Sequence, residues 1–262
     1  MRILLVTPPM TQLNTPYPAT AYLTGFLRQQ PGLAVEVAQA DAALALFLRV
    51  FSRDGIQRVL DTLRGQGEVP DSVEWFLGLG ERHVATVDAA IRFLQGRDPN
   101  LALRIVGREL LPEGPRFAVL DDDQLAWAFG GLGIADRAKH LASLFVDDLA
   151  DVIRDGIAPD FELARYGERL AASAPTFDPL RDALEGPASF VDELLDEIAR
   201  ELVATHRPDL VGLTAPFPGN VYGAFRIARD QGGGACDADR ARRRLRQHRA
   251  ARTHRSARVR LR

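Results

Sequence analysis

Apolar residues recur along this chain in two rhythms. Three short stretches read as buried strands. Arg2–Thr7 (RILLVT) is the first and stops at Pro8-Pro9; Leu33–Ala38 is the second; Leu210–Leu213 (LVGL), launched by Arg207-Pro208-Asp209, is the third. Elsewhere the spacing is helical. Ala19–Gln30 places Tyr22, Leu23, Phe26 and Leu27 on one face, and Pro31-Gly32 turns the chain into the second strand. That is a βαβ opening, for which a right-handed crossover is expected. Asp41 caps a helix running to Ser52, and Asp54–Leu63 continues as another. Pro70–Gln95 carries Val73, Phe76, Leu77, Val84, Val87 and Ile91 at helical spacing. Arg116–Leu120 reads as a short strand or as a turn before a helical Gln124–Phe129. Ile134–Ile153 and Ser189–Thr205 are long helices, the latter with Phe190, Leu194, Leu195, Ile198 and Leu202 inward. After the third strand, Val221, Phe225 and Ala228 give a last helix, with Asn220 as its expected N-cap.

The pattern predicts an α/β fold. Residues 1–40 and 207–229 supply an incomplete Rossmann-like parallel sheet. Residues 41–206 form a helical insertion between two strands of that sheet, far longer than an ordinary crossover. The chain of 262 residues has 46% hydrophobic and 26% charged positions, enough to bury a sizeable core. No apolar run has the length of a membrane span and the N-terminus lacks a signal-peptide layout, so no membrane partner is expected and a cytoplasmic location is the default. One cysteine, Cys236, excludes an internal disulfide and an iron–sulfur cluster held by several cysteines of this chain.

Charge divides the chain. Residues 230–262 hold eleven Arg and three Asp, a net of +8; of the 33 basic and 35 acidic residues in all, 22 and 32 remain in the body, a net of −10. Candidate chemistry in the body is sparse. Asp136 and His140 share a helix face as a surface pair. Asp121-Asp122-Asp123 and Asp147-Asp148 read as solvated acidic turns or faces, because a hard cation needs ligands converging from several directions. His206 suits a helix C-terminus and His83 a partly exposed helix position. No Ser-His-Asp or Cys-His set, Walker loop or GxGxxG is present.

Two loops remain. Residues 8–18 (PPMTQLNTPYP) and 214–220 (TAPFPGN) come after strands expected to be parallel neighbours, so both fall at one sheet edge. Rich in proline and small polar residues, they form a stiff rim suited to a large polar cofactor or a phosphorylated ligand. The segments ILLVTPP, TQLNTPYPATAYLTGFL and DLVGLTAPFPGNVYGAFRIAR resemble the N-terminal half of radical SAM proteins with a cobalamin (B12)-binding-type domain. That resemblance implies a B12-binding-type Rossmann-like domain, followed in an intact parent by a barrel carrying a CxxxCxxC motif, a 4Fe-4S cluster and S-adenosylmethionine. Neither CxxxCxxC nor the DxHxxG motif that supplies a lower histidine ligand to cobalt is present. The implied cofactor contacts are Pro9, Thr11, Asn14, Thr214, Pro216, Phe217, Gly219 and Asn220, holding a small-molecule cofactor, cobalamin, with weak affinity and without catalysis by this chain alone. The alternative is a small α/β protein whose Arg-rich tail binds nucleic acid through phosphates, which the acidic body opposes.

The tail itself reads in two ways. As written, residues 242–262 (RRRLRQHRAARTHRSARVRLR) are a disordered basic arm. The chain has 32 Arg and one Lys, Lys139, as a GC-rich gene gives. With suitable synonymous codons and a one-base shift, residues 239–241 read Ile-Val-Leu and the rest reads GGGYVNTELRELTDPRVFDY. That is a buried strand entering a glycine-rich turn, the next βα unit this fold needs, and it resembles the segment after PFPGN in the family. A frameshift near Asp230 is therefore expected.

Overall fold

The computed structural model describes residues 1–10, 17–32, 34–120, 133–163 and 176–232, with side chains described to residue 229. The first strand, β1 (Arg2–Thr7), is buried from Ile3 onward on both faces, as its unbroken apolar run requires. It lies at the centre of a three-stranded parallel sheet of order β2-β1-β3. β2 is Glu36–Asp41 and β3 is Leu210–Leu213. Ile3 pairs with Val37 on one side and Leu210 on the other; Val6 pairs with Ala40 and Leu213. The fold is thus α/β, mostly helical, with a small open parallel sheet.

β2 begins three residues later than its sequence pattern suggests, and Leu33 lies outside the described residues. The shift has a local cause. Asp41 is both the last residue of β2 and the N-cap of α2 (Ala42–Val50), its carboxylate accepting from the Leu44 amide at 2.9 Å. Ser52 then caps α3 (Arg53–Gly65).

The helix α1 (Ala19–Arg28) corrects its own periodicity. It buries Thr20 and Thr24, while Tyr22 is 77% and Phe26 60% exposed. The Thr24 hydroxyl is satisfied within the helix, donating to the Thr20 carbonyl at 2.7 Å, so a polar side chain can face the sheet without an orphaned donor.

Between β2 and β3 the chain is helical in every described element: α2, α3, α4 (Asp71–Leu94), a 3-10 turn at Pro99–Leu101 leading into α5 (Ala102–Val106), α6 (Pro115–Ala118), α7 (Ile134–Gly156), α8 (Asp178–Glu185) and α9 (Phe190–His206). The strand reading of Arg116–Leu120 is overturned: Pro115 sits in the first turn of α6, where its missing N–H costs nothing. Gln124–Phe129 and Asp121–Asp123 lie outside the described residues. α9 begins with a capping box, Ser189 Oγ accepting from the Asp192 amide and Asp192 Oδ2 from the Ser189 amide.

These helices share one apolar core with one face of the sheet, since Leu4, Val6 and Met10 join the cluster formed by α2 to α9. The opposite face is thin: Ile3, Leu5 and Val37, backed by Leu27 and Val35.

Two titratable groups lie in the helical core against expectation. His83 on α4 is fully buried, not partly exposed; its ring stacks on Phe145 at 5.6 Å between centroids and meets Trp75 and Phe76. Nδ1 bonds the Leu79 carbonyl at 2.9 Å, so the ring is the Nδ1–H tautomer, and Nε2 has no partner. Asp148 on α7 is 3% exposed, not solvated; Oδ1 accepts from the Arg116 amide and Oδ2 has no partner.

Candidate functional site

The C-terminal ends of β1 and β3 lie side by side, because these strands are hydrogen-bonded neighbours. From the central strand the chain crosses first to β2 on one side and later to β3 on the other, so the strand order reverses between β1 and β3. In open α/β sheets that reversal leaves a crevice outside the strand ends. The two loops singled out by the sequence emerge there.

After β1, Pro8, Pro9 and Met10 are buried. Thr11 and Asn14 lie outside the described residues. After β3, Thr214 closes the ladder with its amide on the Val6 carbonyl at 3.1 Å, and its half-buried hydroxyl donates to the same oxygen at 3.3 Å. Pro216 is half-buried and Phe217 is 57% exposed, its ring meeting Tyr17 edge-on at 6.0 Å. The helix α10 (Pro218–Gly232) begins immediately.

Asn220 is not the N-cap. It sits in the first turn of α10, fully buried, and its amide nitrogen donates to the carbonyls of Pro8 at 3.1 Å and Met10 at 3.0 Å. One side chain therefore fastens the loop after β1 to the helix after β3. Its Oδ1 is buried without a partner. Gly219 is buried beside it. Of the eight expected contacts, Phe217, Thr214 and Pro216 present accessible surface, whereas Pro9, Gly219 and Asn220 form the packed floor beneath them.

Gly223 sets how close α10 approaches. A Cβ there would stand 2.7 Å from the Pro9 carbonyl oxygen and 2.9 Å from its ring carbons. Gly223→Ala must push helix and loop apart, and we expect a loss of about 1–3 kcal/mol in urea unfolding. The displacement should also loosen the Asn220 bonds, visible as faster exchange of the backbone amides around Asn220.

Of the expected inward face of α10, Val221 packs against the main core, but Phe225 and Ala228 do not. Phe225 is 45% exposed against Phe177 and Ala228 is exposed; Tyr222, Gly223, Arg226 and Ile227 are buried. Arg226 is 1% exposed and grips Asp196 of α9 with two bonds of 2.9 and 2.7 Å. The Tyr222 hydroxyl accepts from Arg226 and donates to Asp192 at 2.9 Å. Burial and the Asp192 charge push the Tyr222 phenol up to about 12, so it stays a donor. Burial alone would lower the Arg226 pKa, but the hydrogen bond to Asp196 and the nearby carboxylates hold it raised. This network fixes α10, and with it the β3 loop, on the helical layer. Nothing in an isolated "YGAFR" distinguishes a buried arginine from a solvated one; the available signal is Asp192 and Asp196 on one face of α9.

The remaining candidates do not converge on this edge. Asp136 pairs with Lys139 at 3.6 Å on the surface of α7, and His206 is the last residue of α9. Among the described residues no group of three His, Cys, Asp or Glu is placed to hold a metal ion. Open grooves lie elsewhere: one of about 710 Å³ between α2, α3 and α9, lined by Arg49, Arg58 and Glu197, and one of about 220 Å³ beside Asp192 and Tyr222. In the first, Arg49 is paired with Glu201 and Glu197, and Arg58 with Glu193 and Glu197. No helix among the described residues is long and apolar enough to cross a membrane. No protein-family model, curated protein or solved structure matches the chain.

Proposed function

We propose that this chain is a cofactor-binding module of the cobalamin-binding type, the N-terminal part of a radical SAM enzyme, without catalytic activity of its own. The observation that carries the reading is the switch point between β1 and β3, with both proline-rich loops held at it by Asn220. Ligands of open α/β sheets bind in this position. The Rossmann-like, B12-binding-type ancestry of the sheet belongs to the same proposal.

The residues present fit such a cofactor in part. Phe217 and Pro216 offer an apolar shelf for the flat side of a macrocycle. Thr214 offers a hydroxyl, now turned onto Val6, that a rotation about χ1 frees for an amide of the ligand. Asn220 acts as a positioning residue, because both its donors are engaged within the protein. Cobalamin would supply the organometallic chemistry of the parent enzyme; these residues would bind and orient it. A single cysteine cannot hold the cluster that reductive cleavage of S-adenosylmethionine needs in that superfamily, so the purified chain is expected to leave S-adenosylmethionine intact under reducing conditions.

The reading is tested by titrating the chain with hydroxocobalamin and following the visible bands. Weak, saturable binding is expected. Phe217→Ala should weaken it about tenfold, corresponding to about 1.4 kcal/mol of lost contact. Equal binding by wild type and Phe217→Ala would place any affinity away from this edge.

A further inference from the structure

We infer that residues 107–120, the turn and short helix α6 that cover Asp148, form a proton-controlled flap, seated on α4 and α7 while the Asp148 carboxyl holds its proton and released as it ionises. The inference is independent of the cofactor reading.

The segment is built to move as one piece. Gly107 ends α5, and Arg108 follows with a left-handed backbone at φ 62°, which gives the segment a distinct hinge. Arg108 bonds Glu113 through Nε and a terminal nitrogen, and its guanidinium lies over the Phe117 ring at 5.6 Å. All three residues belong to the segment, so these contacts travel with it. Its hold on the rest of the protein is small. Leu111 and Phe117 are its buried large side chains, and Arg116 supplies an amide to Asp148 Oδ1 at 3.3 Å and a guanidinium to Asp151. In contrast, α7 buries Leu141, Phe145, Leu149, Val152 and Ile153. The flap is therefore the element that gives when Asp148 seeks water.

The lock is one oxygen. A Cβ on Gly114 would stand 2.4 Å from Asp148 Oδ2 and 2.7 Å from the Trp75 ring, so the flap backbone lies directly against that oxygen and brings it no donor. A neutral carboxyl tolerates this place far better than a carboxylate, which gives up its hydration there. Burial accordingly pushes the group up to about 6 from 3.8, with Arg116 opposing and Asp151 and Asp147 of α7 adding to the rise. Arg116 Nε is 3.6 Å from Oδ1, but its guanidinium is 42% exposed and shared with Asp151. From α4 comes the Trp75 ring, with His83 behind it, neutral above about 4. Lifting the flap returns the Asp148 carboxyl to water and to its ordinary value. The closed form thus binds the extra proton, and opening gains as pH rises from 3.8 through 6. His83 stays beneath Phe76 and Phe145, which lie outside the flap, so its titration does not enter the opening.

The test is amide exchange of the full chain at about pH 5 and about pH 8, each corrected for intrinsic rates. Residues 107–118 should open about tenfold more at the higher pH, the ratio that closed and open values of about 6 and 3.8 set. Amides of α4 and α7 exchange through global unfolding, where His83 offsets Asp148, and should show no such rise. Asp148→Asn should abolish the rise at 107–118. Gly114→Ala cannot seat the flap, and at about pH 5 its residues 107–118 should exchange at least as fast as the wild type does at about pH 8. An equal rise in α4 and α7 overturns the inference, because the whole fold then opens in place of the flap. A rise that survives in Asp148→Asn overturns it too, as does a Gly114→Ala chain exchanging at the wild-type rate. Should Asp148→Asn not fold, Gly114→Ala and the comparison with α4 and α7 decide.

Discussion

Arg226→Met is expected to destabilise the protein by about 3–5 kcal/mol, the largest single effect outside the apolar core. The arginine is 1% exposed and sits between Asp196, Asp192 and the Tyr222 hydroxyl. Methionine keeps most of the volume but removes the guanidinium that Asp196, Asp192 and Tyr222 share. Asp192 is itself 4% exposed and would lose the guanidinium that stands 3.5 Å from its Oδ1. The double variant Arg226→Met/Asp196→Leu should recover part of the loss, since it removes one uncompensated carboxylate along with the cation. Urea unfolding of the two single variants and the double variant measures this directly. A loss below about 1 kcal/mol for Arg226→Met would mean that water reaches the cluster and that α10 is held by Tyr222 and Ile227 alone. Because α10 carries Asn220 and Gly223, the same variant should also loosen the loop after β1, coupling a buried ion pair to the shape of the candidate site.

The second large effect is a pair of opposing pH dependences around Trp75. Burial pushes the His83 imidazole down to about 4 from 6.5, with Arg82 adding to the effect and the Leu79 carbonyl opposing it. The unfolded chain therefore binds more protons on this residue between those limits, and stability is lost as pH falls from 6.5 toward 4, by about 3 kcal/mol at 1.36 kcal/mol per pH unit. Asp148 does the reverse. Burial pushes its carboxyl up to about 6 from 3.8, with the Arg116 amide and charge lowering it and Asp151 and Asp147 raising it. The folded state binds the extra proton, so its contribution is lost as pH rises from 3.8 through 6, again by about 3 kcal/mol. A Cβ on Gly114 would touch both Asp148 Oδ2 and the Trp75 ring, and that ring also meets His83, so the two groups share a neighbour. In the wild type the two slopes nearly cancel between pH 4 and 6. Asp148→Asn is expected to stabilise the protein at pH 7 and to make it markedly acid-labile. His83→Phe should give the opposite slope, whatever its effect at neutral pH. Parallel stability–pH curves for wild type and both variants would show that neither group is held as buried as the structure places it.

How much of the fold is legible in the sequence depends on how local each signal is. β1 is readable because a strand buried on both faces is an unbroken apolar run, β3 as a short apolar run set between Pro208 and Pro216, and the α2 and α3 boundaries because Asp41 and Ser52 cap through their own side chains. The inward faces of α1 and α10 depart from the pattern for one reason. Helical spacing ranks residues by apolarity, but α1 buries Thr20 and Thr24 and sets only Leu27 of its expected face against the sheet's apolar cluster, and α10 meets α9 through Arg226 and Tyr222. Both substitutions of polar for apolar contact depend on partners distant in sequence or one turn back, which periodicity does not see. The candidate edge is visible as two proline-rich loops. That Asn220 serves as a staple and not a cap is not, because its partners are the carbonyls of Pro8 and Met10, more than 200 residues away.

The measurement that bears most directly on the proposed function is hydroxocobalamin binding by two chains in parallel, the present one and the frame-restored one, monitored by visible spectra and by retention through gel filtration. On the proposed reading, the present chain should bind weakly and lose the cofactor on the column, because the glycine-rich turn that would complete the cleft is spelled only in the shifted frame. The restored chain should retain it, with a spectrum free of histidine coordination, as the absence of DxHxxG requires. Failure of both chains to perturb the corrin bands at any concentration would contradict the account, leaving the β1–β3 switch point without this cofactor.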